Sequence, residues 1–337
     1  MDSEEIFFQA MVVEEEAKDA FTRAITTTST SKLPPGDVLI RVLYSSLNYK
    51  DALSASGNKG VTKHYPHTPG IDAAGTVVQS SAEDFLAGDE VIVTGYDLGM
   101  NTPGGFGQYI RVPHSWVVPK PAGLSLLESM QLGTAGFTAA LCAQALQDNN
   151  IHPEKGPVLV TGASGGVGSI AILLLQQLGY EVTAVTGKVT DTDYFDSIGI
   201  SRLLDRHTLL EEVDKPLLPA RWAGVVDTVG GDLLAIAIKS TRFDGVVTSC
   251  GNASSNNLPL TVFPFILRGV HLQGIYSANC PMEKRLHIWG KLAREWKIKN
   301  LARICRNISL DQLPQEIDAM LAGKSKGRCV VALENGI

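Results

Sequence analysis

A chain of 337 residues exceeds what one ordinary hydrophobic core holds together, so two domains are expected. Its 44% hydrophobic and 19% charged residues, with no uncharged apolar run of membrane-spanning length, exclude a disordered or bilayer-crossing chain. A net charge of −6 creates no field that would gather a polyanion, so nucleic acid is a poor partner and any bound phosphate has to be held locally.

The first twenty residues carry Asp2, Glu4, Glu5, Glu14, Glu15 and Glu16, the opposite of the basic start of a secretory signal, and residence in the cytoplasm is expected. Ile25 to Lys32, rich in Thr and Ser and closed by Pro34-Pro35, reads as a surface loop or a hairpin tip. Up to about residue 130, short β segments such as 37–44, 74–79 and 89–94 are broken by Gly, Pro, Asn and Asp, the texture of an irregular all-β domain. Helical spacing sets in over 126–146. From Val158 onward, apolar runs at 158–161, 181–186, 202–204, 224–227, 245–250 and 271–275 alternate with helix-length segments. That alternation predicts a doubly wound parallel sheet, because parallel strands need crossovers of such length. A helix rich in Lys and Arg (282–296), a short strand near 302–309, a helix over 310–321 and a last strand at 328–333 form a tail able to return to the first domain. Five widely spaced cysteines without a CxxC pair read as small buried hydrophobes in a reducing compartment.

Residues 158–168 form a buried strand, a turn Gly162-Ala163-Ser164-Gly165-Gly166-Val167-Gly168, and the start of a helix running to Leu178 and closed by Gly179. Such a turn lets the backbone approach a pyrophosphate, and the helix tip adds free N–H groups and a favourable dipole. Ala163 stands where the dinucleotide fingerprint has its first glycine; the strand before, the helix after and a second strand ending at Thr186 supply the context. At that strand end an Asp or Glu would bind the ribose hydroxyl of NAD. The residues here are Thr186-Gly187-Lys188, with no carboxylate before Asp191, which suits the 2′-phosphate of NADP, and Arg202 on the next strand is a candidate second charge. NADPH is the expected cofactor; a solvated loop lysine is the alternative reading of Lys188.

Further segments occur in order along the chain: Asn48-Tyr49-Lys50-Asp51, Pro69-Gly70-Ile71-Asp72-Ala73-Ala74-Gly75, Gly88-Asp89-Glu90-Val91 and Gly133-Thr134-Ala135-Gly136-Phe137-Thr138-Ala139. Together with the glycine-rich turn, the series resembles the quinone-oxidoreductase-like, zinc-independent members of the medium-chain dehydrogenase/reductase superfamily over nearly the whole chain. Ser46 to Ala52, Asp227-Thr228-Val229-Gly230 and Pro264-Phe265-Ile266-Leu267-Arg268 narrow the resemblance to the acrylyl-CoA reductase branch. The resemblance implies an α/β protein: a Rossmann doubly wound parallel sheet binding NADPH over residues 130–279, plus a GroES-like irregular β catalytic domain built from 1–129 and 280–337. A cleft where they meet and a homodimer formed through the nucleotide domains are also implied. So is a cofactor lined by Tyr49, Ser164, Gly165, Gly166, Val167, Thr186, Gly187, Lys188, Arg202, Asn252, Ile266 and Ser277. The run Asn252 to Asn257 is more polar than the glycine-rich loop usual in such reductases.

Zinc-dependent members of the superfamily have Gly-His-Glu where this chain has Gly70-Ile71-Asp72, and a cysteine ligand in the region of Asn48. Isoleucine cannot ligate zinc and the first cysteine is Cys142, so no metal is expected, and His64 and His67 read as loop histidines. With no ligand set for a Lewis acid, alkoxide chemistry is disfavoured. Conjugate reduction needs only hydride delivery and hydrogen bonds to a developing enolate, so the expected reaction is reduction of an activated C=C bond, by resemblance in an enoyl-CoA thioester.

Asn48 and Tyr49 are the candidates for that environment, the amide orienting the nicotinamide or a carbonyl and the phenol bonding the ribose or relaying a proton, with Asp51 and Lys50 setting their positions. Equally, Asn48 and Asp51 cap a helix beginning near Lys50, and both roles hold if the cap places the site. Asp72 is read as a loop tether. Lys59, Lys63, Arg268, Lys326 and Arg328 are candidate cations for CoA phosphates. A general quinone or enone reductase, and a crystallin-like protein that holds NADPH without turnover, are the alternatives.

Overall fold

The computed structural model describes residues 5–334, so Asp2 and Glu4 of the acidic N-terminal stretch lie outside them. The chain divides into two compact units. One comprises Ala135–Ser277 with Arg294–Ile304, and the other the rest of the described chain, up to Thr134, Ala278–Ala293 and from Cys305 onward. The stretch 294–304, expected with the catalytic domain, is grouped with the nucleotide-type unit.

A hairpin of β1 (Phe7–Ala17) and β2 (Ala20–Ser29) opens the chain. Here the structure corrects the reading of Ile25 to Lys32 as a loop or tip, because the residues through Ser29 belong to β2 and only Thr30–Lys32 leave it, as a 3-10 turn. The run Ile25-Thr26-Thr27-Thr28 is β-branched, and such stiff side chains suit a pleated strand better than a turn. The tip is Lys18-Asp19, where Asp19 takes φ 62°, a conformation Asp tolerates. Then come β3 (Val38–Ser46), α1 (Tyr49–Ala55), β4 (Asp72–Ser80), β5 (Glu90–Thr94), β6 (Tyr109–Val112), β7 (Val117–Pro119) and α2 (Leu126–Asp148). α2 is broken at Gly133, which has φ 52° and ψ −154°.

The nucleotide-type unit contains β8 (Val158–Val160), α3 (Gly166–Gln177), β9 (Val182–Thr186), α4 (Thr192–Ser197), β10 (Leu203–Asp205), α5 (Arg206–Leu210), β11 (Trp222–Asp227), α6 (Gly231–Lys239), β12 (Thr241–Ser249), α7 (Phe263–Arg268) and β13 (His271–Gly274). Its six strands run in the order β10-β9-β8-β11-β12-β13, every pair parallel. Strand order reverses at β8, the switch point at which open α/β sheets bind ligands beyond their carboxyl ends. β8, β9 and β11 are buried throughout, as strands covered on both faces must be. The helix α6 packs Leu234 and Ile238 into the same core as Val225 and Val247.

The tail supplies α8 (Met282–Leu292), β14 (Cys305–Ser309), α9 (Leu313–Leu321) and β15 (Arg328–Ala332). β15 pairs antiparallel with β3 and parallel with β14, so the C-terminal strand completes a sheet ordered β14-β15-β3-β4-β5-β7, with β6 also on β3. That sheet buries Met11, Val42, Phe106, Ile110, Leu313 and Val331 in one core. Among the described residues no helix is long and apolar enough to cross a membrane.

Candidate active site

The glycine-rich turn leaves β8 through Gly162, whose φ of 60° favours glycine. The Gly165 N–H donates to the Gly162 carbonyl (2.9 Å), and a side chain at Gly168 would run into that same carbonyl. Gly165 is the N-cap of α3 and brings no side-chain cap, so the first N–H groups of a twelve-residue helix have no intrahelical partner. Glycine backbone at the turn and open N–H groups at the helix tip fit a dinucleotide pyrophosphate.

Ser164 to Val167 form this turn. Thr186 ends β9 beside it, buried, and its Oγ1 accepts the Lys188 N–H at 3.0 Å, which shapes the loop carrying Gly187 and Lys188. Asn252 lies in the exposed loop after β12, at the same carboxyl edge. Ser277 follows β13 and accepts a bond from the Thr138 hydroxyl (2.9 Å). Ile266 is carried on α7 with 68% of its surface exposed.

Arg202 is not brought to this edge. β10 begins one residue later than the sequence suggests, its register pairs Leu203 with Ala184 and Asp205 with Thr186, and Arg202 therefore stands at the amino end, ion-paired with Glu181. Arg206 takes the place intended for it. As the first residue of α5 it lies so close to Gly187 that a Cβ there would meet the guanidinium Nε at 2.5 Å. The signal in the sequence was an arginine directly after the strand, hidden by placing the strand too early. Asp205, which pairs with Thr186 in register, is occupied as an N-cap, accepting the His207 N–H at 3.0 Å.

In the other unit, α1 begins at Tyr49 with Asn48 as N-cap, and the Asp51 carboxylate accepts the Asn48 N–H (2.8 Å), the back-reaching half of a capping box. Its second oxygen accepts the Ile71 N–H (2.8 Å). Asp51 is fully buried, and that burial, reinforced by the charge of Asp72, pushes its carboxyl up to about 7. Asp72, also fully buried, accepts from Ser46 Oγ (2.6 Å), Asn48 Nδ2 (2.8 Å), and the Thr134 hydroxyl (2.6 Å) and N–H (2.9 Å). Arg328 closes the cluster, donating to Asn48 Oδ1 (3.2 Å), Ser46 Oγ (2.7 Å) and the carbonyls of Gln131 and Leu47. Asn48 thus turns its amide inward on both sides. Tyr49 does not, and 45% of its surface is exposed.

Three of the candidate phosphate cations are otherwise engaged. Arg328 is 2% exposed inside this cluster, Arg268 donates to the carbonyls of Leu218, Lys239 and Thr241 within the nucleotide-type unit, and Lys59 pairs with Glu15 over the rings of Phe21 and Tyr65. Lys63 and Lys326 remain exposed. His67 is buried against the backbone of Val13, while His64 is exposed. Among the described residues no group of three or more His, Cys, Asp or Glu is arranged to hold a metal ion.

Comparison with known proteins agrees with this architecture. The Alcohol dehydrogenase GroES-like domain matches residues 34–122 and the Zinc-binding dehydrogenase family matches residues 166–289. The acrylyl-CoA reductase AcuI of Ruegeria pomeroyi is 43% identical, over 96% of this chain and 98% of its own. Two solved structures superpose closely. The yhdH oxidoreductase from Salmonella enterica in complex with NADP has a TM-score of 0.93 and 42% identity, covering 97% of this chain and 100% of that one. Protein yhfP of Bacillus subtilis with NAD bound has a TM-score of 0.94 and 43% identity at the same coverage. On these matches and the fold they share, the chain belongs to the medium-chain dehydrogenase/reductase family, in the quinone-oxidoreductase-like group that includes the acrylyl-CoA reductases.

Proposed function

We propose that this protein is an NADPH-dependent reductase adding hydride to an activated carbon–carbon double bond, with acrylyl-CoA or a related enoyl thioester as substrate. The carboxyl end of β9 carries the reading. Thr186, Lys188 and Arg206 offer a hydroxyl and two cations beside a turn shaped for a pyrophosphate, and β9 itself ends without a carboxylate. Such a set suits a 2′-phosphate and lacks the acid that would hold a free ribose hydroxyl. The near full-length similarity to a protein named as an acrylyl-CoA reductase supports the substrate class.

Bound at that turn, the dinucleotide supplies hydride for the β-carbon. The chain's own work is to hold and orient: backbone N–H groups at the α3 tip take the pyrophosphate, and Lys188 and Arg206 select the phosphorylated ribose. Tyr49, the exposed member of the α1 cluster, is the group available to bond the ribose or substrate and to pass the proton that the α-carbon takes up. Asn48 and Asp51 act through Tyr49 rather than on substrate, since their polar groups are used inside the cap and the Asp72 cluster.

Assembly as a homodimer fits the same reading. Among the described residues β13 is an edge strand paired with β12, and its Leu272 is partly exposed, an edge that a second copy would cover. Five free cysteines suit a reducing cytoplasm.

The test compares kcat/KM for acrylyl-CoA, longer enoyl-CoA thioesters and a small quinone, each with NADPH and NADH. NADPH is expected to be favoured at least about tenfold, and a thioester to exceed the quinone. A better quinone indicates a general quinone or enone reductase, and tight NADPH binding with no turnover indicates a crystallin-like holder. The second cofactor reading, NADH, is favoured by the NAD-bound Bacillus relative, and equal use of both cofactors would support it.

A further inference from the structure

Asp227 is a fully buried carboxylate to which the reaction assigns no part. It ends β11 in the middle of the parallel sheet, and its two oxygens accept from three different strand ends. The Thr161 hydroxyl after β8 reaches Oδ1 at 2.7 Å, the Gly230 N–H after β11 reaches Oδ2 at 3.0 Å, and the Ser249 hydroxyl closing β12 reaches Oδ2 at 3.4 Å. Its own carbonyl accepts the Cys250 N–H (2.9 Å).

The loops these contacts join touch one another above the carboxylate. The Thr228 N–H donates to Thr161 Oγ1 (3.1 Å) and the Thr228 hydroxyl returns a bond to the Thr161 carbonyl (3.0 Å). A side chain at Gly162 would collide with that hydroxyl, and one at Gly251 with the Thr228 carbonyl. The Ser254 N–H donates to the Val229 carbonyl (2.8 Å), and Gly230 forms a β-bridge with Ser255.

We propose that Asp227, acting with Thr161, is a positioning residue that locks the glycine-rich turn, the Gly230 turn and the Asn252 loop into one rigid rim, so that dinucleotide affinity depends on a side chain that never touches the dinucleotide. The proposal rests on the reading of the turn as a dinucleotide site. Its direction is not trivial. A carboxylate below a pyrophosphate is a like charge, so if Asp227 acted only as a charge, neutralising it would tighten binding. A positioning role demands the reverse, because Asp227→Ala removes the acceptor of all three bonds and leaves the Thr161 hydroxyl and the Gly230 N–H without it.

NADPH dissociation constants, measured by calorimetry, and amide hydrogen exchange of the free protein are to be compared for the wild type, Asp227→Ala, Thr161→Val and Thr161→Ser. The valine variant removes the bridging hydroxyl at little cost in volume, so the test survives if Asp227→Ala folds poorly; the serine variant restores the hydroxyl. Asp227→Ala and Thr161→Val are expected to weaken NADPH about tenfold, to raise KM for NADPH more than they lower kcat, and to speed exchange in residues 161–168, 227–231 and 249–255 together. Thr161→Ser is expected to stay near wild type. Unchanged or tighter NADPH binding by folded Thr161→Val or Asp227→Ala, or faster exchange in one loop alone, would overturn the proposal. If the wild type itself takes up no NADPH, the dinucleotide reading fails and the affinity claim with it, and the exchange data still decide separately whether the three loops are locked together.

Discussion

Asp51 sits without exposure beside Asp72, and the energetic consequence belongs to this one residue. Its carboxyl is lifted from the ordinary range to about 7, so the folded state holds a proton that the unfolded chain releases near pH 4. The contribution to stability is therefore complete at pH below 4 and lost as pH rises toward 7. The buried Arg328 guanidinium faces the same cluster and offsets part of the negative charge. The difference in melting temperature between wild type and Asp51→Asn, followed from pH 4 to 8, is expected to shift against the wild type across that window and to level off above it; a flat difference would remove the assignment. Tyr49→Phe leaves the buried contacts untouched and is expected to lower kcat by roughly tenfold to a hundredfold, with a changed pH profile if the phenol relays the proton. Rates equal to wild type at every pH would discard that role. Lys188→Glu and Arg206→Glu are each expected to weaken NADPH by about tenfold or more and NADH far less, because only the former carries the 2′-phosphate. Arg202→Glu serves as the control, since Arg202 stands at the opposite end of the strand with Glu181.

At the scale of the element, the break in α2 explains why a glycine begins the Gly133-Thr134 segment. Gly133 combines φ 52° with a position where a Cβ would lie 2.5 Å from both Asp72 Oδ2 and Ser46 Oγ. Alanine there meets two penalties, the left-handed backbone and overlap with a filled polar cluster. Gly133→Ala is expected to cost about 2–3 kcal/mol in denaturant unfolding and to disturb the Asn48 cap that leans on Asp72. Removing the cation, as in Arg328→Met, strands Asp72 and the Asn48 carbonyl in a buried site and is expected to cost about 3–5 kcal/mol. The parallel strands were legible because the central ones, β8, β9 and β11, are short buried runs between helix-length crossovers, a pattern with few alternative folds. The hairpin strand Ala20–Ser29 was not, since its faces are mostly exposed and its threonines read equally well as loop polarity until β1 is seen beside them.

For the whole molecule, a face built on β13 predicts a concentration-dependent dimer. Sedimentation is expected to show a dimer for the wild type and a monomer for Leu272→Glu, with the fold retained because Leu272 is already 39% exposed in the single chain. A monomeric wild type would end that part of the proposal. The order of motifs along the sequence by itself determined the family, the parallel sheet and the turn at Gly162 to Gly168, because strand and helix periodicity and glycine at tight backbone positions are local properties. Which arginine stands beside Gly187, which way the Asn48 amide turns, and that Asp72 and Arg328 share one buried cluster are decided only by tertiary structure. Register along a strand, and the meeting of residues more than two hundred positions apart, depend on pairings that no local pattern records.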